Sequence, residues 1–159
     1  MPLPPLTSRQ WLLATAGLCL LGVLAALGAQ YGLDMQPCPY CILQRVMFVI
    51  IIVLCLIGAF LPDGLRRVFA GVASVFGVLI AAAAVYQHFV AAKSQSCNLT
   101  LADKIINAFN LEALWPAVFT VRGSCADAAV SLLGVPFEFW SLGLAAVVAG
   151  VAWRVVVRA

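Results

Sequence analysis

Six cysteines punctuate this 159-residue chain, and their spacing separates thiols that could react from thiols that could only pack. Cys38 and Cys41 form a Cys-Pro-Tyr-Cys motif, a pair close enough in sequence to close into a disulfide and open again. If the motif stands where a loop passes into a helix, Cys41 falls in the first turn, among unpaired backbone N–H groups at the positive end of the dipole, and its thiolate is favoured. Arg45, four residues on, shares that helix face and sets a cation beside the sulfur. An interfacial arginine that snorkels to water is the plainer account of the same residue.

Cys97 and Cys125 lie farther along and admit three readings. A static bridge between them would close a ring of about 29 residues and contribute about 3.6 kcal/mol by chain entropy. A four-cysteine metal site is a second reading, although the second Cys-x-x-Cys usual in such sites is missing. Two disulfides that exchange with each other is the third and the most specific. Cys19 and Cys55 sit inside apolar runs, where a thiol without a nearby charge stays protonated and serves as a small filler. His88 is the only histidine. It either caps carbonyls at a helix end or offers a hydrogen-bond or proton partner to an oxidant beside Cys41.

The elements that must hold these groups are set by composition. Hydrophobic residues make up 65% of the chain and charged residues 9%, with a mean hydropathy of +1.10. So small a chain has too little interior to hide that much apolar side chain from water, which excludes a soluble globule and makes lipid the solvent. The basic residues are scattered singly, so there is no nucleic-acid footprint and nucleic acid is not an expected partner. Four apolar runs, approximately residues 11–29, 46–61, 68–86 and 139–157, each approach the length that crosses a hydrocarbon core about 30 Å thick as a helix. The expected fold is an all-α membrane protein: a single domain over residues 1–159, a four-transmembrane-helix bundle with two extracytoplasmic loops at about 30–45 and 87–138.

Only Pro62, Asp63, Gly64, Leu65, Arg66 and Arg67 separate the second and third runs, a tight connection between antiparallel helices. Arg9, Arg66, Arg67, Arg154 and Arg158 fall on one side with Asp63, whereas Arg45, Lys93, Lys104 and Arg122 share the other with five acids. The positive-inside bias, strongest in the short Arg66-Arg67 hairpin, puts both termini in the cytoplasm and both cysteine-bearing loops outside. The N-terminal run also has features of a signal peptide, but its length marks it as a retained span. In the larger loop, Leu101, Ile105 and Phe109 recur at helical spacing behind a Thr100/Asp103 capping box, giving a short amphipathic helix. With Trp115 beside it, that helix rests at the membrane interface or packs on the bundle.

Together these residues resemble the bacterial DsbB family of disulfide-bond formation proteins, inner-membrane quinone reductases that reoxidise the periplasmic dithiol oxidase DsbA. The resemblance rests on the stretch from Pro37 through Cys38, Pro39, Tyr40, Cys41 and Gln44 to Arg45, on Tyr86-Gln87-His88, and on Cys97. It continues through Trp115-Pro116-Ala117-Val118-Phe119, Gly123-Ser124-Cys125-Ala126, Leu133-Gly134, Pro136 and Trp140, and so covers most of the chain. It implies two redox-active disulfides, Cys38–Cys41 and Cys97–Cys125. Cys97 would receive the thiolate of a reduced, thioredoxin-fold DsbA-type partner, and the electrons would pass through Cys125 to Cys38 and Cys41. Cys38 would join Cys125 in a transient inter-loop disulfide. Arg45 and His88 would then be cofactor-binding residues beside a quinone, ubiquinone or menaquinone, drawn from the membrane pool. A DsbA-type oxidase stands near about −120 mV, so its regeneration needs an acceptor of still higher potential, which a lipid-soluble quinone provides. The competing expectation is a non-catalytic membrane scaffold whose loops are held by structural disulfides or a metal site.

Overall fold

The computed structural model describes residues 6–93 and 100–158; Cys97, with Asn98 and Leu99, lies outside the described residues. Four helices are long and apolar enough to cross a membrane, and they form the expected bundle. Helix α1 spans Ser8–Gly32, α2 Pro39–Ala59 and α3 Asp63–Phe89, followed by a 3-10 turn at Ala91–Lys93. The larger loop carries α4 at Leu101–Ala108, single turns α5 at Leu111–Leu114 and α6 at Pro116–Phe119, and a hairpin of β1 Ser131–Leu132 with β2 Val135–Pro136. The last crossing helix, α7, spans Phe137–Arg158.

The helix ends outrun the apolar runs because polar side chains, not hydropathy, start them. Thr7 accepts from the Gln10 N–H while the Gln10 side chain accepts from the Thr7 N–H, a reciprocal cap that opens α1 before its apolar stretch begins. Cys38 caps α2 with its own sulfur, accepting from the Cys41 N–H at 3.4 Å, and Pro39 occupies the first helical position, where its missing N–H costs nothing. The second helix therefore begins at Pro39, well ahead of the apolar run at residue 46, and carries Cys41 and Arg45 on regular backbone. Arg9 stacks over the Phe60 ring at 4.8 Å, tying the start of α1 to the end of α2.

The core interleaves small side chains with larger aliphatic and aromatic ones. Leu12, Ala16, Cys19 and Val23 of α1 meet Phe48, Ile51 and Cys55 of α2, while Ala70, Ala73 and Ile80 of α3 meet Ala145, Val148 and Ala152 of α7. Cys19 and Cys55 are fully buried here. In the α3–α7 seam a Cβ at Gly77 would stand 2.9 Å from the Ala149 Cβ, so only glycine permits this approach. Ser74 Oγ donates to the Ala149 carbonyl at 3.0 Å across the same seam. In the loop, Thr100 and Asp103 cap each other at the start of α4, which buries Ala102 and Ile106 and exposes Leu101. Phe109, Leu114 and Trp115 are also exposed, leaving an apolar face outward.

Candidate functional site

At the loop end of the bundle three described sulfurs stand in a row. Cys41 Sγ lies 3.0 Å from Cys38 Sγ, both as free thiols. Cys125 packs on the far side of Cys38, in a buried cluster with Tyr40, Ala91, Ala102 and Ala128. The hydrogen bond between Cys38 and Cys125 draws the Cys125 thiol below its ordinary pKa and holds that of Cys38 up, so Cys125 is the readier nucleophile of the two.

Two loops distant in sequence are joined to make this row. The Arg122 and Gly123 N–H groups both donate to the Pro37 carbonyl, at 3.0 and 3.2 Å, next to the start of α2. A Cβ on Gly123 would stand 3.3 Å from Gln36 Cβ, so the two loops cross closely at the glycine. The turn that carries Cys125 is closed by its neighbours. Ser124 donates from Oγ (2.6 Å) and N–H (3.2 Å) to Asp127 Oδ2, and the Asp127 N–H returns a bond to Ser124 Oγ. These bonds hold the Asp127 carboxyl below the usual aspartate value.

Cys41 faces the other way, onto a cavity of about 400 Å³ between α1, α2 and α7. Its walls are mainly apolar, including Leu18, Val23, Phe48, Trp140 and Leu144, and its polar lining includes Gln44, Arg45, Gln87, Glu138 and Ser141. Arg45 is buried, 5% exposed, and does not reach water. Its Nη1 donates to Gln30 Oε1 at 2.7 Å and to the Val118 carbonyl at 2.9 Å, so the guanidinium also fastens α6 to the bundle. Tyr31 Oη adds a second tie, donating to the Ala117 carbonyl at 2.6 Å.

A run of amides reaches Cys41 from behind. Ser141 Oγ donates to Gln44 Oε1 (2.5 Å), Gln44 Nε2 to Gln87 Oε1 (2.8 Å), and Gln87 Nε2 to Cys41 Sγ (3.3 Å). Both glutamines are buried, and each spends its carbonyl on one neighbour and its amide on the next. His88 is not part of the cavity wall. Its Nδ1 lies 2.6 Å from Glu138 Oε1, and Glu138 is the residue that lines the cavity. Phe89 and Phe139 pack on the imidazole at 4.9 and 4.7 Å between ring centres.

Of the residues singled out from sequence, Cys38, Cys41, Cys125 and Arg45 are thus gathered at one end of the bundle, His88 stands one residue removed from the cavity, and Cys97 lies outside the described residues. Gln30, Gln44, Gln87, Glu138 and Ser141 had no assigned part. Gln44 and Gln87 each stand next to a residue that had one and fall within the stretches that carry the family resemblance, which is the signal that could have found them.

Comparison with known proteins is consistent across the chain. The family model described as "Disulfide bond formation protein DsbB" matches residues 8–155. "Disulfide bond formation protein B" of Dechloromonas aromatica is 33% identical over 141 residues, covering 84% of this chain and 83% of the relative. "Disulfide bond formation protein B 1" of Pseudomonas syringae pv. syringae is 34% identical over 138 residues, covering 84% and 80%. "Disulfide bond formation protein B 2" of Burkholderia lata is 28% identical over 158 residues, covering 97% and 93%.

Proposed function

The chain belongs to the DsbB family of disulfide bond formation proteins, and from that premise we propose that it reoxidises a DsbA-type dithiol partner and passes the electrons to a membrane quinone. The observation that carries this reading is the row of sulfurs, Cys125 to Cys38 to Cys41, ending at an apolar cavity that also holds Arg45.

The relay follows from thiol–disulfide exchange, in which each step breaks one S–S bond as it forms another. The partner's thiolate attacks the Cys97–Cys125 disulfide at Cys97 and leaves Cys125 as a thiolate. Cys125 then attacks Cys38 of the Cys38–Cys41 disulfide, releasing Cys41. The partner's second thiol resolves the mixed disulfide and frees Cys97, which attacks Cys125 and releases Cys38. The partner has then lost two electrons and two protons, and they reside in the Cys38/Cys41 dithiol. The placement of Cys125 against Cys38, rather than against Cys41, suits this order.

The cavity fits a quinone head group in size and lining: about 400 Å³, apolar walls, and one cation at hydrogen-bonding depth. A bound quinone supplies an acceptor for two electrons and two protons at a potential above that of a DsbA-type dithiol. Cys41 and Arg45 would hold it, Arg45 as donor to a carbonyl oxygen, with Gln30 and Val118 fixing the guanidinium. The reading places the protein in a bacterial inner membrane, with the Arg66-Arg67 hairpin and both termini cytoplasmic and the sulfurs on the periplasmic side; the two arginines in the short hairpin support this orientation.

The test is quinone absorbance over time when the purified protein in detergent is mixed with a reduced DsbA-type dithiol protein. Quinone reduction that disappears in Cys41→Ser is the expected result. No reduction with either a ubiquinone or a menaquinone analogue would overturn the reading.

A further inference from the structure

One carboxylate in the cavity wall has no structural task that accounts for it. Glu138 stands in the first turn of α7 and is 3% exposed, in a cavity whose walls are otherwise largely hydrocarbon. Burying a carboxyl group is costly unless both oxygens are served. Here Oε1 meets His88 Nδ1 at 2.6 Å, and Oε2 has no partner among the described residues. The companion is placed differently. The His88 side chain is 31% exposed while that of Glu138 is 2% exposed, so the pair runs from the outer surface to the cavity wall, imidazole outside and carboxyl inside. The other titratable groups facing the cavity are Cys41 and Arg45, both from α2; α1 contributes none.

We propose that Glu138 is a catalytic proton donor to the acceptor reduced at Cys41, and that His88 reloads it from the surface. This rests on the reading that the acceptor is a quinone. Oxidation of the Cys38/Cys41 dithiol to a disulfide releases two electrons and two protons, and a quinone reduced to the quinol takes up two of each. Electrons leave through Cys41, but Cys38 is fully buried on the far side of it, and its proton has no direct route to the cavity. Glu138 gives the proton from its carboxyl group to an acceptor oxygen, and His88 restores it through the Nδ1–Oε1 hydrogen bond. As the Cys38–Cys41 S–S bond forms, the two electrons and the proton of Cys41 pass to the acceptor and the proton of Cys38 is lost to water on the loop side, where His88 takes one up; two protons thus leave the dithiol and two enter the quinol, one from Cys41 and one through Glu138. Arg45 is ill suited to this task because its guanidinium does not give up a proton.

The test uses the full chain in detergent with a short-chain ubiquinone analogue, comparing the parent with Glu138→Gln, which keeps shape and hydrogen bonding but carries no acid. Three quantities are read: the Kd of the analogue for the oxidised protein, the rate of its reduction by pre-reduced protein at saturation, and the carboxylic C=O band in the infrared difference spectrum of that reduction. The expected result is a Kd within about threefold of the parent, a saturated rate lower by about a hundredfold, the usual span of a lost general acid, and loss of the carboxylic band. His88→Ala should slow reduction too and regain rate with added imidazole, a recovery that a merely structural histidine would not show. An unchanged rate in Glu138→Gln overturns the proposal, as does a rate deficit removed by saturating quinone. If Glu138→Gln binds no analogue, His88→Ala decides: recovery with imidazole supports the relay and its failure overturns it. A parent that does not reduce the analogue defeats the quinone reading itself, a distinct outcome.

Discussion

Cys41 is served by a chain of neutral groups rather than by a charge at contact distance, and that choice can be tested at Gln87. Replacing Gln87 by Leu removes the amide that donates to Cys41 Sγ and leaves the buried Gln44 Nε2 without an acceptor. The expected loss is about 1–3 kcal/mol of stability, read from unfolding in detergent, together with slower reduction of a quinone analogue. Stability equal to the parent would mean that Gln44 finds another partner. The residues proposed to react stand out by their chemistry: a Cys-x-x-Cys and an arginine are rare in an apolar context. The residues that hold them do not. Gln30 meets Arg45 across two helices, Gln44 meets Ser141 almost a hundred positions away, and His88 meets Glu138 across the whole loop. Such pairs exist only once the bundle is assembled. The sequence leaves His88 either a helix-end cap or a partner to an oxidant, and the family resemblance alone sets it beside a quinone, whereas the intervening Glu138 reads as one more acid in a loop.

The same division holds among elements. Helix centres were readable because lipid demands a continuous run of apolar side chains, and two starts were readable as well, that of α4 from its Thr100/Asp103 box and that of α2 from the Cys-x-x-Cys at a loop edge; the start of α1 was not, since Thr7 begins it by capping ahead of the apolar run. The loop that presents Cys125 depends on such a cap. Asp127 holds Ser124 in a closed turn, and its carboxyl lies below the usual aspartate pKa because of those bonds. A group depressed in this way contributes fully above its ordinary value of 3.8, and the contribution disappears as pH falls through the lower, folded value. The Cys125 turn should therefore loosen below pH 3.8, seen as faster hydrogen exchange of the Asp127 N–H. In Asp127→Asn that exchange should be less dependent on pH over the same range. Identical acid profiles in the two proteins would place the turn's stability elsewhere, in the Arg122 and Gly123 bonds to Pro37.

For the molecule as a whole, the four-helix count followed from length and hydropathy, and the way the helices close on one another did not, because that depends on which small residues oppose each other. Gly77 against Ala149 is the tightest such point between α3 and α7. Gly77→Leu should cost about 1–3 kcal/mol by forcing the seam apart, measured as a lower Tm, while Gly150→Ala, with no atom within 4 Å of the new Cβ, should leave Tm near the parent's. The seam has a consequence for the reaction end. His88 ends α3 and Glu138 begins α7, and at 1.5 Å per residue the Gly77 contact lies about 16 Å below them. Two rods clamped at mid-length cannot slide, so the 2.6 Å spacing of imidazole and carboxylate is a vernier reading of the clamp. A slip of one residue would exceed the tolerance of a hydrogen bond. The alignment of the pair at the loop end of the bundle is therefore held by van der Waals fit at mid-helix, and whatever wedges the helices apart there would mistune chemistry it never touches.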